Sequence, residues 1–593
     1  MRSRFFASLI AGAAGLLLAA PSARADDLDG ATDPSFVAEG GEGDAIDGEL
    51  AIDLRDDATA ADVADLSARF GVSMRPSSAW STTHDKLEVA DVDPAREDAL
   101  IDALSGDPRV EHAERMALYH ETFVPNDPLY AGKQWNLRRV GAESAWSYSC
   151  GQGVTVAVID TGVACFDKGP FSRGTDLAGT RCEGGWNFVT DTREAYDDQG
   201  HGTHVAGTIA QTTHNGVGAA GLAFCASLMP VKVLNRQGFG SVANVAEGIR
   251  FAADEGAQII NLSLGGPIKS GILKDAVDHA IARGVLIVAA AGNSGKRVGW
   301  PAAYPGVLAV SATDDKDAIA WFSSRGPEVG IAAPGVGVTQ QTICNGGRDR
   351  CEIFGTFNGT SMASPHVAGV AAMIEALGVT RADAVRDALF AGARAPAAGA
   401  DPALFGAGIL DAGAAASHVF WTHWGLRALA LVGLGWLVRR RVAKRGGRIT
   451  RHPGAWIAAA LASVGLLSFA PLAGWLNGAG RVRDLVELAM RPLGEWDEAL
   501  WGAGVHRWQL LASALPALAL AAVGFRSRHL RPVIGGLALG SAALLLQMAW
   551  SGDVAFVAGA FLARVWAIGN ALVCLWLARI ALESGERNTR GGG

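Results

Sequence analysis

What most constrains this chain is an alternation that begins near Asn126. "VTVAVID", "SLMPVKVL", "AQIINLSL", "GVLIVAAAG" and "GVLAVSA" are short, apolar and rich in β-branched residues, and each is bounded by Gly or polar residues. Runs of this kind suit strands buried on both faces of a parallel sheet. Between them, "VANVAEGIRFAADEG" and "ILKDAVDHAIARG" place apolar residues at helical spacing. Together they predict an α/β doubly wound parallel sheet, with reacting groups at the carboxyl ends of its strands.

Polar residues stand where that rule points. Asp160 closes "VTVAVID", and "DDQGHGTHVAGTIA" opens a helix with His201 and His204 in its first turn. "FNGTSMASPHVAGVAAMI", Phe357 to Ile374, has small residues through its first half, around Ser361, and then becomes an apolar helical run. Those small residues fit close packing by another element, or room for something that must approach Ser361. An acid, a histidine and a serine are the parts of an activated nucleophile: the imidazole takes the hydroxyl proton, and the carboxylate fixes its tautomer and stabilises the imidazolium. A helix amino terminus behind Ser361 favours an oxyanion nearby. Singly, each residue has a plainer reading as a turn cap, a structural histidine or a helix cap.

At 593 residues the chain is too long for one core, and 49% hydrophobic content with mean hydropathy of +0.20 places part of it in lipid. The net charge of -8 is divided unevenly: from His418 onward 19 Lys/Arg stand against 8 Asp/Glu, which leaves 32 against 51 before it. An acidic first part argues against a nucleic-acid partner, and a basic, apolar second part argues for a bilayer. Residues 1–25 have the basic "MRSR", the run "FFASLIAGAAGLLLAA" and the small-residue ending "ARA" of a secretory signal peptide, with a retained anchor as the alternative. Residues 26–47 are acidic, Gly-rich and aperiodic, and read as a linker. "ELAIDL", "ATAADVADLSARF", "KLEVADV", "AREDALIDALSG" and "VEHAERM" then run strand, helix, strand, helix, strand, which predicts a small α+β unit.

"VAVIDTGV", "GHGTHVAGTIA", "AAAGNSG" and "GTSMASPHVAG", in that order, resemble the subtilisin-like serine endopeptidases, and the resemblance extends over residues 126–417. It implies a serine endopeptidase with Asp160, His201 and Ser361 as the triad and Asn293 as side-chain donor of the oxyanion hole. His204 reads as structural, a metal pair with His201 being the alternative. Ser263, Leu264, Gly265 and Gly266, with Gly238 and Gly240, are implied as edges between which a polypeptide substrate pairs as an added strand. Residues 48–125 resemble the propeptide of these proteases, which assists folding and inhibits until it is cut off; an uncleaved accessory domain is the rival. The chain's own propeptide is thus expected as its first partner.

The resemblance also implies that no cofactor is required for the chemistry, with a structural calcium held by Gln134, Asp167 and Asn215. Six of the seven cysteines lie in the peptidase region, and export favours bridges. Cys165–Cys182 and Cys344–Cys351 each bracket a local loop, and Cys150 pairs with Cys225 because both precede strands that lie side by side in subtilisin-like sheets.

Beyond His418, residues 418–593 form a membrane region with five expected spans, about 419–438, 454–476, 508–525, 533–550 and 554–578. Eleven of the 17 Trp lie there. Basic loops after the first, third and fifth spans put the peptidase on the extracytoplasmic side, as an exported, membrane-anchored protein. Arg427 is expected to snorkel at a span end, and Arg564 to face a partner helix or a water-filled gap. A catalytically silent membrane scaffold with the same ectodomain is the competing reading.

Overall fold

Alternation along one strand organises the larger part of the molecule. In β5 (Thr155–Asp160) Val156 and Val158 enter one apolar core while Ala157 and Ile159 enter another. That is the signature of a strand covered on both faces. The computed structural model describes residues 45–584 apart from 83, 118–122, 344–353, 398, 451, 469–484, 487, 502–509, 555–556 and 558. The chain divides into two compact units, Met1–His120 and Glu121–Gly593.

The first unit has four antiparallel strands in the order β2 (Ser73–Pro76), β3 (Leu87–Asp91), β1 (Ala45–Leu54) and β4 (Val110–Ala117). Leu66 of helix α1 (Ala60–Phe70), together with Leu100 and Leu104 of α2 (Glu97–Ser105), meets Leu50, Ile52 and Leu54 of β1 in one core. Thr59 and Asp62 close a capping box that starts α1. The sequence order of strands and helices is the expected one, with β2 added.

In the second unit, parallel strands run in the order β12 (Val329–Pro334), β11 (Leu308–Thr313), β10 (Leu286–Ala290), β9 (Ile259–Leu262), β5, β8 (Ser227–Lys232) and β6 (Arg181–Cys182), with β7 (Trp186–Asn187) also on β8. Helices α3 (His201–Ala210) and α6 (Thr360–Glu375) contribute to one core, and α4 (Val242–Asp254) and α5 (Gly271–Ala282) to the other. This is the doubly wound parallel sheet that the sequence predicts. Disulfides join Cys150 to Cys225, at the start of the neighbouring β5 and β8, and Cys165 to Cys182. The pairing expected between Cys344 and Cys351 lies outside the described residues.

After α7 (Ala382–Gly392), helix α8 (Ala412–Ala443) starts at the Asp411 cap, packs on α7 and α6, and continues unbroken into a helical bundle. There α11 (Leu530–Ser551) is surrounded by α8, α9 (Pro453–Ser463), α10 (Leu515–Gly524) and α12 (Ala560–Leu582). Five spans are not what the described residues show. Two helices, α11 and α12, are long and apolar enough to cross a membrane, by length and composition only, and α11 is mostly buried within the protein. Of the segment expected at 454–476, the described part is helical to Ser463 and turns at Gly465, where a side chain would collide with the Met490 carbonyl, while 469–476 lie outside the described residues. At 508–525 the helix is ten residues long. The segment at 419–438 lies in α8, whose Val419 belongs to the peptidase core.

Arg427 corrects a second expectation. It does not snorkel: it is buried, paired with Glu495, and donates to Gln547 Oε1 at 2.9 Å. A helical turn that faces the protein gives its long side chain no route to water, so the charge is neutralised in place. Arg564 is exposed on α12, beside Gly552.

Candidate active site

The site grows from the carboxyl ends of β5 and β9 and the amino ends of α3 and α6. Asp160 is the last residue of β5 and fully buried, and its Oδ1 lies 2.8 Å from His201 Nδ1 at the start of α3. Two glycines permit the approach. A side chain on Gly202 would come within 2.1 Å of the Gly162 carbonyl, and one on Gly162 within 2.2 Å of the Tyr196 carbonyl. Burial works against the imidazolium, but the adjacent Asp160 carboxylate outweighs it and holds His201 above its ordinary value of 6.5.

Ser361 is the second residue of α6, where helix geometry leaves its N–H without an intrahelical partner. Its hydroxyl donates to the Ser263 carbonyl at 3.0 Å, and the Ser263 hydroxyl donates to the Ser361 carbonyl at 2.8 Å. In this arrangement the Ser361 proton points along the strand-end edge. Both readings of the small residues hold here: nearly all of α6 is buried, and Gly369 packs against Leu222 and Ile209, while Ser361 keeps partial exposure.

Asn293 follows β10, and its Oδ1 accepts both the N–H and the hydroxyl of Thr360 at 2.9 Å. With the oxygen so engaged, the amide nitrogen is the end left for a ligand. The Thr360 hydroxyl also accepts from Gly292 N at 3.1 Å.

The substrate edges need one correction. Both the N–H and the carbonyl of Gly266 are taken by Trp300, at 2.8 and 2.9 Å, so its backbone is not open for added pairing. Ser263, Leu264 and Gly265 remain on that edge. Opposite, Gly238 and Gly240 flank Phe239 in a turn closed by Asn235, and Gly238 lies beside Gln199, whose side-chain oxygen accepts His201 N.

The calcium residues are placed differently from expectation. Asp167 is exposed and accepts from Arg173 N, and both ends of the buried Gln134 amide are used by Ala220. Asn215 instead donates to Asp176, which also accepts from Ala219 N and Gln211. Burial, with the nearby Asp127 adding to it, pushes Asp176 up to about 7. Asp127 Oδ1 is buried without a hydrogen bond.

His204 is buried, stacked on Phe357, with Nε2 near the carbonyls of Val338 and Gly355. Burial lowers it to about 4, as a structural neutral imidazole. Asp197 is a residue that sequence reasoning missed. One buried carboxylate accepts from Thr161 Oγ1, Gln199 N, Gly200 N, and the N–H and hydroxyl of Thr203, which ties the β5 end to the start of α3. The "DD" ahead of "QGHGTH" was its only visible signal.

A parallel α/β sheet with an acid–imidazole pair at a strand end and a serine at a helix start suits a serine hydrolase. The profile of the Subtilase family matches residues 151–408. Over 257 residues the chain is 40% identical to "Thermitase" of Thermoactinomyces vulgaris, covering 43% of this chain and 87% of that protein. It is 35% identical over 357 residues to "Thermophilic serine proteinase" of Bacillus sp. (strain AK1), covering 59% and 84%. With "Subtilisin Savinase" of Lederbergia lenta the identity is 44% over 243 residues, covering 41% and 83%. The chain belongs to the subtilase family and is a subtilisin-like serine endopeptidase.

Proposed function

We propose that this protein is an exported, membrane-anchored endopeptidase that hydrolyses peptide bonds through Asp160, His201 and Ser361. The carrying observation is the 2.8 Å Asp160–His201 contact at the start of α3, a helix packed against α6, which carries Ser361 at its own start. A peptide pairing with the Ser263–Gly265 edge brings its carbonyl to Ser361. His201 takes the hydroxyl proton as the Ser361 oxygen attacks, then delivers it to the leaving amine; Asp160 holds the tautomer and offsets the imidazolium charge. Asn293 and the Ser361 N–H receive the oxyanion. Water, deprotonated by the same imidazole, releases the acyl group.

The first unit supports an inhibitory propeptide cut off by the enzyme itself. Export is carried by the amino-terminal sequence, and anchoring by α11 and α12 with the apolar residues that α12 exposes, Phe561, Leu562, Val565, Leu572 and Trp576. Two buried carboxylates, Asp127 with an unpartnered oxygen and Asp176 facing the Asn215 amide nitrogen, fit a hard cation, while the Asn215 oxygen is taken by Val217 N. Asp127 and Asp176 would hold calcium, which would supply charge neutralisation to the 214–219 loop. A fluorophosphonate probe tests the central claim: it labels wild type and leaves Ser361→Ala unlabelled, and equal labelling of both would refute it.

A further inference from the structure

Helix α6 carries Ser361 at one end and meets the C-terminal helices at the other. Past Glu375 the chain turns at Gly378 (φ 86°), where a side chain would come within 2.8 Å of the Glu495 carboxylate. Glu495 is buried and paired with Arg427 of α8, which is tied in turn to Gln547 of α11. Two residues on, the N–H and the hydroxyl of Thr380 both donate to Asp553, just beyond α11. His423 Nδ1 of α8 lies 3.3 Å from the Leu377 carbonyl. Val419 and Met490 complete the same apolar core as α6. Three separate C-terminal elements therefore converge on the short turn that ends the nucleophile helix.

We infer that Arg427, Glu495 and Asp553 are positioning residues for Ser361, so that the helical region acts as a clamp on the catalytic geometry as well as an anchor. An anchor alone would need no contact with this turn. Sixteen residues make a rod about 24 Å long, buried at every position but Ser361. Close-packed interiors transmit a shift instead of absorbing it, and misplacing a reacting group by about 1 Å can cost on the order of 100-fold in rate. The inference rests on Ser361 being the nucleophile.

The test uses the full-length chain in detergent or nanodiscs, with active sites counted by fluorophosphonate titration and kcat and KM measured on a short peptide. Glu495→Gln, Asp553→Asn and Thr380→Val are each expected to lower kcat per titrated site by about tenfold with KM roughly unchanged, whereas Thr380→Ser, which keeps the donor, stays at the wild-type value. Fewer titratable sites that each turn over at the wild-type kcat would show a stabilising role only, and would overturn the inference. Wild type that takes no label would overturn the nucleophile assignment itself.

Discussion

Ser263 and Ser361 exchange two hydrogen bonds, each hydroxyl donating to the other's carbonyl at 2.8 and 3.0 Å. The pair continues inward, since Asn261 Nδ2 donates to the Ser263 hydroxyl at 2.9 Å and Ser364 donates to Asn261 Oδ1 at 2.7 Å. The nucleophile's turn is thereby stitched to the substrate edge. Ser263→Ala removes one of the two bonds, since the Ser263 carbonyl still accepts the Ser361 hydroxyl, and leaves a buried amide donor unpaired, a loss of about 1 to 1.5 kcal/mol. Peptide kinetics should show kcat reduced by roughly tenfold, since about 1.4 kcal/mol is a factor of ten.

With Asp160, His201 and Ser361 as the proposed triad, the Asp160 charge should set the acid limb of activity. His201 must be neutral to accept the serine proton, and its value is raised, so activity is present at high pH and is lost as pH falls through a midpoint above 6.5. A kcat/KM profile should show that limb. Asp160→Asn removes the charge that raises it, which moves the limb to lower pH while kcat drops about 10,000-fold through the wrong tautomer. A limb that stays in place would remove Asp160 as its cause.

Calcium should stabilise the peptidase through Asp127 and Asp176. Free calcium at about 100 times its Kd adds about 2.7 kcal/mol, and chelation should remove that. Thermal unfolding with calcium and with chelator measures the difference in wild type. In Asp176→Asn the two curves should coincide, whereas Asp167→Asn should keep the wild-type response, because Asp167 is exposed and engaged elsewhere.

Self-processing predicts an order of maturation. Ser361→Ala should accumulate as a precursor roughly 95 to 100 residues longer than the mature enzyme, lacking only the signal peptide. His201→Ala should do the same, since a serine hydroxyl without its base is a poor nucleophile. Asn293→Ala keeps one backbone donor and should mature about 100- to 1000-fold more slowly instead of not at all. Immunoblots from a host with no protease for the junction read this directly; Ser361→Ala maturing at the wild-type rate would exclude it.

Strand ends and helix starts were legible in the sequence because they are local. Asp160 closing an apolar run, "GHGTH" after a Gly-rich turn, and Ser361 ahead of a helix each advertise their place within a few residues. The Cys150–Cys225 pairing followed once β5 and β8 were set side by side. Arg427 was opaque because its partners, Glu495 and Gln547, are 68 and 120 residues away and nothing in spacing predicts them. Of the five expected spans, two coincide with helices long and apolar enough to cross a membrane; apolar runs that cover a protein partner read like runs that cover lipid, and the turn at Gly465 is invisible in hydropathy. Asp176 and Asp167 both follow β5 in loop sequence, and the burial that separates them is not visible there.

Helix α8 passes from the peptidase into the bundle as 32 residues without a break, a strut of about 48 Å. A strut differs from a string in what it allows the cleft to reach. A flexible stalk lets an enzyme sweep a hemisphere and cut whatever unfolds within it, whereas a rigid mount fixes altitude and heading. If the later helices fix the chain in a bilayer as proposed, a susceptible bond would be chosen by where it sits above the surface as much as by the residues beside it.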